Sequence, residues 1–124
     1  MDLDERFADL GPDLAEVEGL ARAETVPSAW FTEPRFQRLD RDAVFGTTWQ
    51  YVGHAARVGQ PGSWLVADVA GEPIVVVRDL EGALRAFYNV CRHRGGPLAS
   101  EDGCGRVLKC GYHGWTYQLD GRLR

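Results

Sequence analysis

Among 124 residues there are only three cysteines and three histidines, and positive charge is not in surplus. Fourteen Lys and Arg stand against eighteen Asp and Glu, a formal net charge of −4. With no basic stripe to meet a phosphate backbone, nucleic acid is not an expected partner. No apolar run approaches the ~18 residues that a membrane-spanning helix needs, so no membrane is expected either. The opening MDLDERFADL is acidic where a secretory signal would be basic, and no apolar segment follows it. That predicts a cytoplasmic location. The length predicts one domain with a modest core and no room for a second.

What the chain does have is concentrated in two stretches. Cys91-Arg92-His93-Arg94-Gly95-Gly96 and Cys110-Gly111-Tyr112-His113-Gly114-Trp115 each carry one cysteine and one histidine beside glycines, with sixteen residues between His93 and Cys110. Cys91, His93, Cys110 and His113 are therefore the candidate metal ligands. Two thiolates and two imidazoles admit a closed zinc site, or a [2Fe-2S] cluster with a cysteine pair on one iron and a histidine pair on the other. Structural zinc sites usually place two cysteines roughly two to four residues apart in one turn. Here each turn mixes a Cys with a His, which favours the cluster and leaves zinc as the alternative. With two thiolates and two neutral imidazoles the oxidised cluster carries roughly no net charge, against about −2 with four thiolates, so it accepts an electron more readily. The site is a one-electron carrier on this reading. Its histidines can lose a proton when the cluster is oxidised, so the reduction potential should fall as pH rises.

Along the chain, residues 1–26 are rich in Asp, Glu, Ala and Leu and predict an N-terminal arm, with Asp13 capping a short helix from Leu14 to Ala23. Thr32 or Glu33 is the expected cap of a second helix that takes Pro34 in its first turn and stops near Gly46, with Phe36, Leu39 and Ala43 on one face. From Thr47 the period changes. Strands are expected at Thr48–Val52, Ser63–Val69, Pro73–Arg78, Leu84–Val90, Arg106–Lys109 and Trp115–Leu119, with turns at Ala70–Glu72, Asp79–Ala83, Gly103–Gly105 and Asp120-Gly121. The expected fold is mainly β, a small antiparallel sandwich or barrel with two cluster-binding loops, preceded by a short helical segment.

The ligand pattern resembles that of the Rieske proteins. With Trp30-Phe31-Thr32, Thr48-Trp49-Gln50-Tyr51-Val52-Gly53-His54, Gly71–Asp79, Asn89–Gly95 and Tyr112–Tyr117 it is similar to the N-terminal Rieske domain of Rieske non-haem iron oxygenases, the ring-hydroxylating α-subunit family, over 27–124. The resemblance implies that Cys91 and Cys110 hold the inner iron and His93 and His113 the outer, solvent-facing one. It implies a reductase or ferredoxin as electron donor, and a mononuclear non-haem Fe(II) in a C-terminal catalytic domain as acceptor. That iron needs two histidines and a carboxylate, and only His54 is left over, so the chain by itself is expected to move electrons and hydroxylate nothing. Family members often form trimers, which makes a homotrimer the expected assembly of a full-length protein. A C-terminal end that is incomplete and a catalytic domain that is absent are also expected, because the chain stops at Arg124 with one arm of a hairpin complete. The alternative is a free-standing Rieske ferredoxin, an electron carrier only.

High-potential Rieske proteins carry a further cysteine in each loop, joined by a disulfide, and a serine after the glycine that follows the last histidine. Cys104 has no partner for such a bond and Trp115 stands in the serine's place, so the resemblance implies the low end of the range, around −150 mV. His54 and Cys104 are read as residues without a metal role. Arg92 and Arg94 tune the cluster or dock a partner, or else form ion pairs, and Tyr112 and Trp115 shield the cluster from water.

Overall fold

A computed structural model describes residues 25–124. The helix expected from Leu14 to Ala23 and its Asp13 cap lie outside these residues. Two units follow one another along the chain, dividing after Trp49.

In the first unit, α1 (Ala29–Thr32) leads to α2 (Pro34–Leu39), which continues as a wider π-type turn over Asp40–Phe45. Pro34 sits at the start of α2, where its missing N–H costs nothing. Glu33 holds the cap position without capping. Its carboxylate is drawn to Arg35 Nε at 2.8 Å instead, and the Thr32 hydroxyl turns back to Ser28 O. The expected apolar face is present: Phe36 is buried, stacked on Trp30 at 5.5 Å, and Leu39 and Ala43 are half-buried. The helix ends as Gly46 N reaches back five residues to Arg41 O and the Thr47 and Thr48 hydroxyls bond the carbonyls of Ala43 and Val44.

The second unit is an antiparallel sandwich. Its larger sheet has the order β3-β2-β1-β4, from β1 (Ser63–Val69), β2 (Glu72–Arg78), β3 (Leu84–Tyr88) and β4 (Gly103–Cys104). The smaller pairs β5 (Val107–Lys109) with β6 (Thr116–Gln118). Alternation along β2 turns Val75 and Val77 inward, onto Leu108 of β5 and Leu119 beyond β6, with Trp64, Phe87 and Leu98 packed around them. Register through β1 and β2 runs from Trp64↔Val77 to Val69↔Glu72. The turn between them takes Ala70 at φ 54° and Gly71 at φ 92°. Two successive left-handed residues match the twist of the strands they join, and Asp68 Oδ1 accepts from Gly71 N to steady the turn.

Two expectations fail. Thr48–Val52 forms no strand. An alternating pattern makes a strand when one face is covered, and here Trp49 and Tyr51 both stand exposed. Gly103–Gly105 is not simply a turn either, since Gly103 and Cys104 pair with Trp64 and Ser63 of β1. Glycine is required there, because a Cβ on Gly103 would fall 2.7 Å from the Trp64 indole. Where this short pairing stops, the Asp102 carboxylate extends it, accepting from Val66 N at 2.9 Å and from Arg57 at 2.6 Å. The Asp120-Gly121 turn forms as expected, with Gln118 N donating to Arg122 O and a bridge between Tyr117 and Leu123.

Asp79, after β2, is buried and needs partners. Ala83 N donates to Oδ1 at 2.7 Å and Arg85 Nε to Oδ2 at 2.7 Å. The Arg85 bond outweighs burial and, with the amides of Ala83 and Glu81, holds the carboxyl below its ordinary value of 3.8. A carboxyl lowered in the folded state contributes stability that is present above its unfolded value and lost as pH falls through the folded one. Asp79→Asn is expected to lower the thermal midpoint at neutral pH and to flatten the acid limb of the stability profile. An unchanged midpoint at pH 7 in calorimetry would show that the pair contributes nothing.

Candidate metal centre

Each candidate loop leaves a strand at the same end of the sandwich and closes on itself with the same two backbone bonds. Cys91 N donates to Gly96 O at 2.7 Å and Gly95 N to Cys91 O at 2.9 Å; Cys110 N donates to Trp115 O at 2.8 Å and Gly114 N to Cys110 O at 2.9 Å. Gly95 and Gly114 hold equivalent places, at φ 71° and 75°. A side chain in that conformation costs about 1–2 kcal/mol, which explains the glycine in each loop. The equivalence breaks at the histidines, two residues after Cys91 and three after Cys110. The two imidazoles consequently meet at 67°, with ring centroids 4.8 Å apart.

The structure brings all four candidate residues to one end of the second unit, in two layers. Cys91 and Cys110 are buried together with Tyr117, with Leu98 against them. His93 and His113 lie outside, exposed. The loops pass close to each other at Gly96, where a Cβ would stand 3.4 Å from Cys110 Sγ. Trp115 lies parallel to His93, at 4.9 Å and 7°, and Tyr112 lies over His113 at 3.8 Å and 33°.

Tyr117 is the site residue that sequence reasoning missed. Its hydroxyl accepts from Arg92 N at 3.1 Å and lies 3.6 Å from Cys91 Sγ. A signal was present: Tyr117 and Leu119 are the inward positions of the strand that leaves the second loop. Burial first, and then the bond to Cys91, hold the Tyr117 phenol above its ordinary value of 10.0, so it stays a neutral donor. Burial pushes the Cys91 thiol up, but the His93 amide, the Tyr117 hydroxyl, the Cys110 thiol and the Arg94 amide outweigh it. The net direction is downward from 9.0, towards the thiolate that metals bind.

These four side chains could hold a metal group, and their layering selects its kind. Among the described residues no three His, Cys, Asp or Glu side chains converge on one ion. A closed zinc site needs four donors around one centre, whereas a two-iron cluster takes them two and two. A buried thiol pair beneath an exposed imidazole pair fits the second.

The other candidates fall elsewhere. His54 caps the 3-10 turn Ala55–Val58, its Nδ1 accepting from Ala56 N at 3.1 Å, a structural role. Arg92 and Arg94 are exposed and form no ion pair among the described residues. Cys104 is exposed on β4. No helix among the described residues is long and apolar enough to cross a membrane.

Residues 48–124 match the family of Rieske [2Fe-2S] domains. The carnitine monooxygenase oxygenase subunit of Acinetobacter baumannii is 40% identical over 100 residues, 80% of this chain and 27% of that protein. Chloroplastic choline monooxygenase of Arabidopsis thaliana is 40% identical over 104 residues, 84% of this chain and 25% of that protein. Among solved structures, a quaternary ammonium Rieske monooxygenase in complex with L-carnitine superposes with a TM-score of 0.76 at 39% identity, over 79% of this chain and 28% of the other. Naphthalene 1,2-dioxygenase from Rhodococcus sp. gives 0.76 at 30% identity, over 98% of this chain and 26% of the other. The chain spans about a quarter of the length of these relatives.

Proposed function

The chain belongs to the family of Rieske [2Fe-2S] domains, and from that premise we propose that it is the electron-entry domain of an oxygenase acting on quaternary ammonium compounds. The carrier role rests on one observation, the burial of Cys91 and Cys110 beneath exposed His93 and His113. We assign Cys91 and Cys110 to the inner iron and His93 and His113 to the outer. When bound, the cluster supplies reversible one-electron storage. The protein's own part is to hold the thiols away from water, to present the imidazoles outward, and to donate the Tyr117 hydroxyl towards Cys91 Sγ.

Electrons come from a reductase or ferredoxin and leave for a mononuclear iron whose two histidines and carboxylate must be supplied by another part of the assembly. A homotrimer suits such a handover between subunits. The Rieske domain is assigned to 27–124. The quaternary ammonium class is favoured over aromatic rings because the relatives at about 40% identity act on carnitine, choline and glycine betaine, while naphthalene 1,2-dioxygenase stands at 30%.

Loaded with iron and sulfide and reduced by dithionite, the protein is expected to give the EPR signal of a mixed Cys/His two-iron cluster, and His113→Cys or Cys91→Ser to abolish it. A variant that kept the native signal would overturn the ligand assignment. Tyr117→Phe is expected to keep the signal and lower the midpoint potential by about 40 mV, the equivalent of roughly 1 kcal/mol for a lost hydrogen bond in a one-electron couple. Protein-film voltammetry reads that shift, and an unchanged midpoint would show that the hydroxyl does not act on the sulfur.

A further inference from the structure

The two loops are closed at their necks by different means. Behind the second, the closure from Cys110 N to Trp115 O runs on into strand pairing, Lys109 with Thr116 and Leu108 with Tyr117. Behind the first, the closure from Cys91 N to Gly96 O meets Pro97, which has no N–H to continue a ladder. Val90 N turns back to Tyr88 O at 2.8 Å. One side chain holds the neck instead. Asn89 is buried; its Oδ1 accepts from Leu98 N and Ala99 N, each at 3.0 Å, and its Nδ2 donates to Ala99 O at 2.6 Å. A carboxamide carries the same donor and acceptor types as a peptide group, so it can stand in for a strand partner. Its own backbone is tied to the sheet, with Asn89 N donating to Pro73 O at 2.8 Å beside the pairing of Ile74 with Tyr88. The segment it grips bears on the site, because Leu98 packs against Cys91, Cys110 and Tyr117 and also against the core around Val75 and Val77.

We propose that Asn89 is a positioning residue that closes the first loop in place of a strand ladder and keeps Leu98 against the two cysteines. This rests on the ligand assignment proposed above. Without the carboxamide, two amides and a carbonyl lose their partner at once, and the loop can open while the strands stay paired. Water then gains access to the thiolate side of the site. A more solvated cluster favours its more highly charged reduced form, so the midpoint potential rises as the apolar cover is lost.

The test compares the loaded wild type with Asn89→Ala and with Asp79→Asn, which weakens the same sandwich from a residue outside both loops. Hydrogen exchange read by mass spectrometry is expected to quicken about tenfold over 91–99 in Asn89→Ala, the equivalent of one net hydrogen bond, and to stay at the wild-type rate over 107–118. Release of the cluster to a chelator, followed as loss of visible absorbance, should accelerate by about the same factor, and the midpoint potential should move upward. Asp79→Asn should lower the thermal midpoint and leave release and potential as in wild type. Wild-type exchange over 91–99 in Asn89→Ala, or a wild-type release rate and potential, would overturn the proposal. So would equal acceleration of release in Asp79→Asn, which would trace the effect to general loosening. Should Asn89→Ala fail to take up a cluster, Asn89→Asp keeps the acceptor for both amides and loses only the donor. It is expected to release the cluster faster than wild type, and an unchanged rate would overturn the proposal equally. A wild-type protein without the mixed Cys/His EPR signal would overturn the ligand assignment itself, and the positioning role with it.

Discussion

Four backbone hydrogen bonds, two in each loop, carry the site. Each loop folds its first residue under its last, so that a cysteine points into the sandwich while the histidine after it points out. Side chains add to them, with Arg92 N donating to the Tyr117 hydroxyl in the first loop and the Thr116 hydroxyl donating to Gly114 O in the second. The β-sheets decide where the loops sit, and the loops decide which way their side chains face. Loss of the left-handed glycine in either would turn a ligand away even if every strand stayed paired.

The same economy runs through the supporting structure. Among the described residues the buried polar side chains, Asp79 and Asn89, are both hydrogen-bonded, and the exposed Asp102 ends a ladder. Asp79 gathers an amide and Arg85, and Asp102 takes over from β4 at the point where pairing with β1 stops. Glycines mark close approach as much as turning, as Gly103 does against Trp64 and Gly96 against Cys110. The core itself is small, with Val75, Val77, Leu108 and Leu119 at its centre. Much of the order near the site therefore comes from directional contacts rather than from bulk apolar burial.

What the sequence made legible was local. Cys91, His93, Cys110 and His113 could be picked out because their identities and spacings lie within two short segments, and the hairpins at Ala70-Gly71 and Asp120-Gly121 because their turn residues are distinctive. What it concealed depended on partners distant in the chain. Thr48–Val52 alternates as a strand should, yet its Trp49 and Tyr51 both stand exposed. Gly103 and Cys104 read as a turn because two residues carry too little pattern to reveal their pairing with Ser63 and Trp64. Tyr117 looked like one more strand residue, since its contact with Cys91 spans 26 positions. Trp115 was visible beside His113, but its stacking partner is His93 on the other loop.

The layering of the four side chains also sets a direction. Electron tunnelling falls off exponentially with distance, so transfer to or from a cluster held here is overwhelmingly faster across its thinnest wall. On the cysteine side that wall is the layer of buried side chains around Cys91 and Cys110, whereas on the histidine side it is one exposed imidazole ring. A redox partner of a cluster held here would find its shortest path at the exposed histidines.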